Sequence, residues 1–219
     1  MKIGLFGGTF DPVHNGHIAV ARQVKETLAL DEIRFIPALE PPHKLAAPLS
    51  SFDLRVAMLE LAIAPHAGLV VSRIEERLPV PSYTIDTLAA IRNQLPAHAG
   101  LFFLIGVDAF LEIGTWKKFQ LLPAAARLVV LARPPHDIAA AEELIRRLYI
   151  GYRYDAAADA WRPPAYQGEG GITLLRTDPQ DVSSSEIRHR VKKGQPFTNL
   201  VTTEVAEYIT RHGLYGPGS

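Results

Sequence analysis

Six short apolar runs, free of strict polar alternation, constrain the fold of this chain more than any other feature: Lys2–Phe6, Ile33–Pro37, Leu69–Arg73, Leu101–Ile105, Arg127–Ala132 and Ile172–Leu175. A strand with one wet face alternates apolar and polar residues, whereas a strand covered on both faces does not. Between most of the runs lie stretches with helical spacing, at Ile18–Ala29, Leu54–Ile63, Ile85–Leu95 and Ile138–Leu148. Strand followed by helix, repeated, predicts an α/β fold with a doubly wound parallel sheet and right-handed crossovers. Ligands of such sheets sit outside the carboxyl ends of the strands, so the residues just after each strand are where chemistry is expected.

Two segments depart from this rhythm. Residues 151–171 mix aromatics, Pro and Gly without a period and read as an irregular excursion or a hairpin before the last strand. From Asp181 onward the chain reads as wholly helical, with Ser183 and Glu186 at capping-box spacing, Gly194 as a stop, and a last helix from about Thr203 to His212 ended by Gly213. The expected organisation is a single domain over residues 1–219, an α/β core to about 180 followed by C-terminal helices to about 215. A chain of this length buries roughly 70% of the surface its unfolded form exposes, enough for a core without staples.

Lys plus Arg (23) balances Asp plus Glu (23), which removes the broad positive field that holds a long nucleic acid or an anionic bilayer. Any polyanion site must be local. With no cysteine there is no disulfide, thiolate metal site or thiol nucleophile, and a cytoplasmic location is expected. The N-terminal apolar run breaks at two glycines, unlike a signal peptide, and no stretch approaches the roughly 20 apolar residues of a membrane span.

The first strand runs into Gly7-Gly8-Thr9-Phe10-Asp11-Pro12-Val13-His14-Asn15-Gly16-His17, and then a helix begins. Adjacent glycines let backbone N–H groups approach a ligand, and a helix start adds donors and partial positive charge, so the turn is suited to phosphate. It is neither a Walker loop nor a dinucleotide GxGxxG fingerprint. His14 and His17, three apart, share one helix face. A zinc reading is disfavoured, because the HExxH spacing and its interposed Glu are absent and no carboxylate completes a triad nearby; the blander alternative is a tight turn with two satisfied surface histidines.

These residues resemble the (H/T)xGH signature of the nucleotidyltransferase superfamily, and Val182-Ser183-Ser184-Ser185-Glu186-Ile187-Arg188 resembles its second signature, ISSTxIR, with two mild substitutions. The resemblance narrows to the nicotinate-nucleotide adenylyltransferases through Pro41-Pro42-His43-Lys44, Arg55, Ser82-Tyr83-Thr84, Ile105-Gly106-Val107-Asp108 with Trp116, and Arg133-Pro134. It implies a Rossmann-like fold and transfer of the adenylyl group of ATP to nicotinate mononucleotide, giving deamido-NAD and pyrophosphate, in NAD biosynthesis. It further implies His14, His17, Lys44 and Arg188 as catalytic residues. ATP would be bound by Gly7, Gly8, Thr9, Phe10, His14, His17, Gly106, Asp108, Ser183, Ser184 and Arg188. The acceptor would be bound by Lys44, Tyr83, Thr84, Asp108, Trp116 and Arg133. Mg²⁺ is expected as a cofactor held mainly by ATP phosphates, with no metal site built from protein ligands.

Each residue has a physical rationale beside a plainer one. Lys44 follows a stiffening Pro pair, although a surface Lys is usually just solvated. Either hydroxyl of the Ser82-Tyr83-Thr84 stretch flanking the helix start could cap the helix at Ile85, making an anion-receptive end suited to a nicotinate carboxylate. Trp116 offers a face for a pyridinium ring, or is a core residue. Asp108 could accept ribose hydroxyls, and Arg133 could fork onto the acceptor phosphate. The position after the tryptophan, often aromatic in the family, is Lys117 here. Pantetheine-phosphate adenylyltransferase is the nearest rival inside the superfamily, and a non-catalytic nucleotide sensor is the rival of another class. The partners expected are small molecules rather than nucleic acid or membrane, with homo-oligomerisation left open.

Overall fold

The computed structural model describes residues 1–40, 49–132, 138–164, 168, 170–178 and 181–216. Lys44 and Arg133, together with Pro41, Pro42, His43 and Pro134, lie outside the described residues. The strands are β1 (Lys2–Gly8), β2 (Glu32–Pro37), β3 (Leu69–Val71), β4 (Gly100–Gly106), β5 (Arg127–Ala132), β6 (Arg153–Asp155), β7 (Ala160–Arg162) and β8 (Ile172–Arg176). The helices are α1 (Asn15–Thr27), α2 (Phe52–Ile63), α3 (Thr84–Arg92), α4 (Val107–Leu111), α5 (Leu122–Ala125), α6 (Ile138–Leu148), α7 (Ser184–Lys192) and α8 (Thr203–Arg211). Among the described residues no helix is long and apolar enough to cross a membrane.

One sheet has the order β3-β2-β1-β4-β5-β8-β7-β6. Strands β1 to β5 and β8 pair in parallel, while β6, β7 and β8 are joined antiparallel. The reason the apolar runs lack alternation is visible strand by strand. In β4, Leu101, Phe103 and Ile105 enter the core under α3, α4 and α6, and Phe102 and Leu104 enter the core under α1, α2, α7 and α8. β5 divides in the same way, with Leu128 and Val130 on one side and Val129 and Leu131 on the other. Both faces exclude water, so both parities are apolar. Gly4 is needed in β1 because a Cβ there would stand 2.9 Å from side-chain carbons of Leu30 and Ile33.

Chain order reverses between β1 and β4: from β1 the sheet runs outward to β2 and β3, and from β4 outward to β5 and β8. That switch point puts the carboxyl ends of β1 (Gly7-Gly8) and β4 (Gly106) side by side, where a crevice opens.

Several expected boundaries differ. The third strand ends at Val71 rather than Arg73, because the chain turns into a 3₁₀ helix at Ile74–Arg77 and Arg73 pairs with Glu76 and Asp53 instead of continuing the ladder. The segment 151–171 contains the antiparallel hairpin β6–β7, which joins the sheet through Trp161 opposite Ile172. The stretch after Asp181 is not wholly helical. α7 stops before Gly194 in the left-handed conformation (φ 65°), and residues 193–202 are turns and extended chain before α8. Ser183 caps α7 by accepting from the Glu186 N–H, but the Glu186 carboxylate turns outward to Arg190 at 2.7 Å, so the capping box is half made. Helices α4 and α5, with 3₁₀ turns at Ile113–Thr115 and Phe119–Leu121, went unread because each is too short to show a period.

A buried arginine ties the loops above the switch point together. Arg55, 1% exposed on α2, donates from Nε to the Ser50 carbonyl (3.0 Å), from Nη1 to the Thr9 carbonyl (2.8 Å) and from Nη2 to the Leu39 carbonyl (3.5 Å). Burial pulls its guanidinium below the ordinary value, and the nearby Asp11 carboxylate opposes that effect. Replacing it with an apolar side chain strands three carbonyls and Asp11 without their cation. Arg55→Met is expected to lower unfolding free energy by about 3 kcal/mol in urea denaturation; a loss below about 1 kcal/mol would show that the network is dispensable.

Candidate active site

The turn from β1 into α1 is fixed by packing below it and by polar side chains around it. A Cβ on Gly8 would lie 2.8 Å from the Phe10 ring, and one on Gly7 would lie 3.3 Å from the Phe103 ring, so neither position accommodates a side chain without a shift. Phe10 itself adopts the left-handed conformation (φ 50°) and is buried, edge-on to Phe6, Phe35 and His17. Its side chain is thus a core anchor of the turn.

Past Phe10, four oxygens of Asp11 and Pro12 find distant partners. Asp11, 2% exposed, accepts the Tyr215 hydroxyl at Oδ1 (2.6 Å) and the Ser50 N–H at Oδ2 (3.2 Å). Its carbonyl accepts Nη1 of Arg188 (2.6 Å), and the Pro12 carbonyl accepts the Ser184 hydroxyl (2.8 Å). The first turn of α7 is therefore bolted to the residues that lead into His14. Asn15 ties the start of α1 to another part of the C-terminal segment, its Nδ2 donating to the carbonyls of Asn199 (3.1 Å) and Val201 (3.3 Å).

His14 occupies the N-cap of α1 and is 6% exposed; its ring stacks on that of His17 with centroids 3.6 Å apart. The His14 N–H donates to Nδ1 of His17 (3.2 Å). A neutral imidazole that accepts at Nδ1 carries its proton on Nε2, so His17 presents a donor on the ring edge away from the backbone. No acidic residue stands in the first turn of α1, so nothing there opposes an anion at the helix start.

On the other side of the glycines lies a cleft of about 370 Å³. Gly7, Gly8 and Thr9 form one wall, Ser82, Tyr83, Thr84 and Thr87 of the α3 start another, and Gly106, Thr115, Trp116 and Lys117 the third. Trp116 is half-buried and meets Phe103 edge-on at 6.4 Å. Lys117 sits over the Tyr83 ring (4.5 Å) and pairs with Asp86 (2.8 Å), linking the tryptophan loop to α3 across the mouth.

The expectation of a hydroxyl cap on the helix near Ile85 is corrected here. α3 begins at Thr84 and its N-cap is Tyr83, with no side-chain cap. The phenol is too far from its own backbone to reach the helix N–H groups. Ser82 is buried on the cleft wall, and its hydroxyl has no partner among the described residues.

The structure thus brings Gly7, Gly8, Thr9, Tyr83, Thr84, Gly106 and Trp116 to one cleft, and Ser183, Ser184 and Arg188 to the turn that carries His14 and His17. Asp108 is exposed on the first turn of α4 and does not line the cleft, where an acid also suits the helix dipole. Sequence reasoning passed over Glu75, buried in the cleft wall, whose carboxylate accepts the Leu39 N–H (3.0 Å) and the Thr87 hydroxyl (3.3 Å). It also passed over the Asp11 carboxylate and Tyr215. Among the described residues no cluster of three or more His, Asp or Glu could hold a metal ion.

The cytidylyltransferase-like family matches residues 5–190. A protein of Trichlorobacter lovleyi named probable nicotinate-nucleotide adenylyltransferase is 39% identical over 217 residues, covering 99% of this chain and all of its own. Proteins of the same name from Pseudomonas aeruginosa (42% over 215 residues; 98% of this chain and 97% of theirs) and Thermus thermophilus (39% over 215 residues; 98% and 100%) are similarly close. In fold the chain is similar to a Plasmodium falciparum nicotinic acid mononucleotide adenylyltransferase complexed with NaAD, with a TM-score of 0.74 at 18% identity, covering 98% of this chain and 97% of that one. With full-length relatives well above 30% identity, and the β1–α1 turn joined in space to the start of α7, this chain belongs to the nicotinate-nucleotide adenylyltransferase family.

Proposed function

We propose that the protein transfers the adenylyl group of ATP to nicotinate mononucleotide, releasing pyrophosphate and forming deamido-NAD. The observation that carries this reading is the docking of Arg188 and Ser184 onto the carbonyls of Asp11 and Pro12, beside a cleft that shares the same glycines. A phosphate site and a flat-walled pocket are then contiguous, as joining a triphosphate to an aromatic nucleotide requires.

In this reading an oxygen of the acceptor's 5′-phosphate attacks the α-phosphorus of ATP in line. The new P–O bond forms as the bond to the β-phosphate bridging oxygen breaks, and pyrophosphate carries the electron pair away. The attacking oxygen is already ionised, so no general base is needed; the protein aligns two polyanions and offsets their charge. Two unit charges 4 Å apart repel by about 4 kcal/mol at an effective dielectric near 20, which the site has to counter. His14, His17 and Arg188 are the proposed donors, with the Gly7–Phe10 backbone and Ser183 and Ser184 at the start of α7. Lys44 and Arg133 join them on family resemblance alone. Tyr83, Thr84 and Trp116 hold the acceptor's ring, and Gly106 the nucleoside; Asp108, exposed on α4 outside the cleft lining, joins Gly106 on family resemblance alone.

Mg²⁺ is proposed as the metal, carried by the ATP phosphates. The turn fits that division of labour, because its donors are N–H and imidazole groups, which suit phosphate oxygen rather than Mg²⁺. When bound, the ion would neutralise charge on the leaving pyrophosphate. The reading extends to one functional unit over residues 1–219, since α7 and α8 share a core with α1 and α2 through Ile187, Val205 and Ile209. It also takes small molecules rather than nucleic acid or membrane as partners, and the cytoplasm as compartment.

Incubation with ATP, Mg²⁺ and one acceptor at a time is expected to give pyrophosphate fastest with nicotinate mononucleotide. Faster release with phosphopantetheine, or ATP binding with no release, would overturn the assignment. His17→Ala should lower kcat by roughly two to three orders of magnitude, as loss of one oxyanion donor does. Trp116→Ala should instead raise KM for the pyridine nucleotide by about tenfold, with the KM for ATP little changed, as loss of ground-state stacking would. Steady-state kinetics separates the two, and an unchanged pair of KM values would make Trp116 a packing residue.

A further inference from the structure

Tyr215 lies 204 positions along the chain from Asp11, and its hydroxyl donates to that carboxylate at 2.6 Å. The contact is built by a specific chain reversal. α8 ends in a Schellman motif in which the Gly213 N–H reaches the Thr210 carbonyl (3.2 Å) and the Leu214 N–H reaches the Ile209 carbonyl (3.0 Å), with Gly213 left-handed at φ 60°. Tyr215 follows and is itself left-handed at φ 62°, a conformation that a bulky side chain adopts only when its surroundings impose it. Both Leu214 and Tyr215 pack against the core that contains Phe10, Val13 and α8.

Asp11 is 2% exposed and stands between the Thr9 carbonyl held by Arg55 and the residues leading to His14. A buried carboxylate keeps its orientation only while its oxygens are satisfied. Tyr215 supplies one such bond and the Ser50 N–H the other. The Asp11 carbonyl in turn anchors Arg188, and the peptide that follows ends on the stacked His14–His17 pair. Burial, and then the adjacent carboxylate, push the Tyr215 phenol well above its ordinary value, so it remains a donor throughout the range in which enzymes work.

We infer that Tyr215 is a positioning residue for the transfer reaction: its hydroxyl, acting through Asp11, sets the turn that presents His14, His17 and Arg188 to the phosphates. The inference rests on the phosphate-site reading given under Proposed function. It assigns catalytic consequence to a segment that neither nucleotide signature includes.

Tyr215→Phe keeps the ring and removes only the donor. The expected result is a kcat lowered by about tenfold or more, as misplacement by a fraction of an ångström does, with KM for ATP and for nicotinate mononucleotide within about twofold and a melting temperature within a few degrees of the parent. In ¹⁵N spectra the imidazole resonances of His14 and His17 should move while those of His66 and His98 stay. A kcat within about twofold of the parent, or imidazole resonances that do not move, would overturn the inference. The spectra decide the positioning role without reference to turnover, so a parent protein lacking transferase activity would sink the functional reading separately.

Discussion

Backbone carbonyls in a tight turn have no ladder to bond to, and the structure depends on how those of the β1–α1 turn are satisfied. Thr9 is met by Arg55 of α2, Asp11 by Arg188 of α7, and Pro12 by Ser184 of α7. Each donor comes from a different distance along the chain, so the turn takes its shape only when the sheet, the α2 layer and the C-terminal helices are assembled together. The same bonds that stabilise the turn fix Arg188 beside it. A chain with no formal net charge thereby gathers Arg55 and Arg188 at one turn.

The cleft beside the turn follows a different logic. Its walls carry few charges: Glu75 is occupied by Leu39 and Thr87, Lys117 by Asp86 and the Tyr83 ring, and Glu112 is exposed at the edge of the lining. What it offers a ligand is flat aromatic surface from Trp116 and Tyr83, glycine backbone, and the buried Ser82 hydroxyl. Charge recognition on one side of the glycines and shape recognition on the other suits two substrates that share phosphates but differ in their rings.

The parallel strands were legible in the sequence because burial on both faces leaves an unalternated apolar run, and the turn was legible because its glycines and histidines are consecutive. Reading failed wherever a role is made by residues far apart. Nothing around Tyr215 distinguishes it from a frayed end until α8 is seen to fold it back onto Asp11. Glu75 reads as one acid in a polar stretch, and only the fold shows it buried between the β2 exit and α3. At Ser82-Tyr83-Thr84 the composition suggests a hydroxyl cap, but the helix starts one residue early and places the phenol-bearing residue at the cap. The capping spacing of Ser183 and Glu186 was half right, because Arg190 competes for the carboxylate one turn on.

In the proposed reaction the β1–α1 turn and the start of α7 form one phosphate site. A crystal structure with a non-hydrolysable ATP analogue tests it most directly. The expected result is a triphosphate that touches the Gly8–Phe10 backbone, an imidazole of the His14–His17 pair, and Arg188 or the α7 N-terminus in the same complex. A triphosphate bound to one of these elements with the other more than a hydrogen bond away, or bound elsewhere on the sheet, would contradict it.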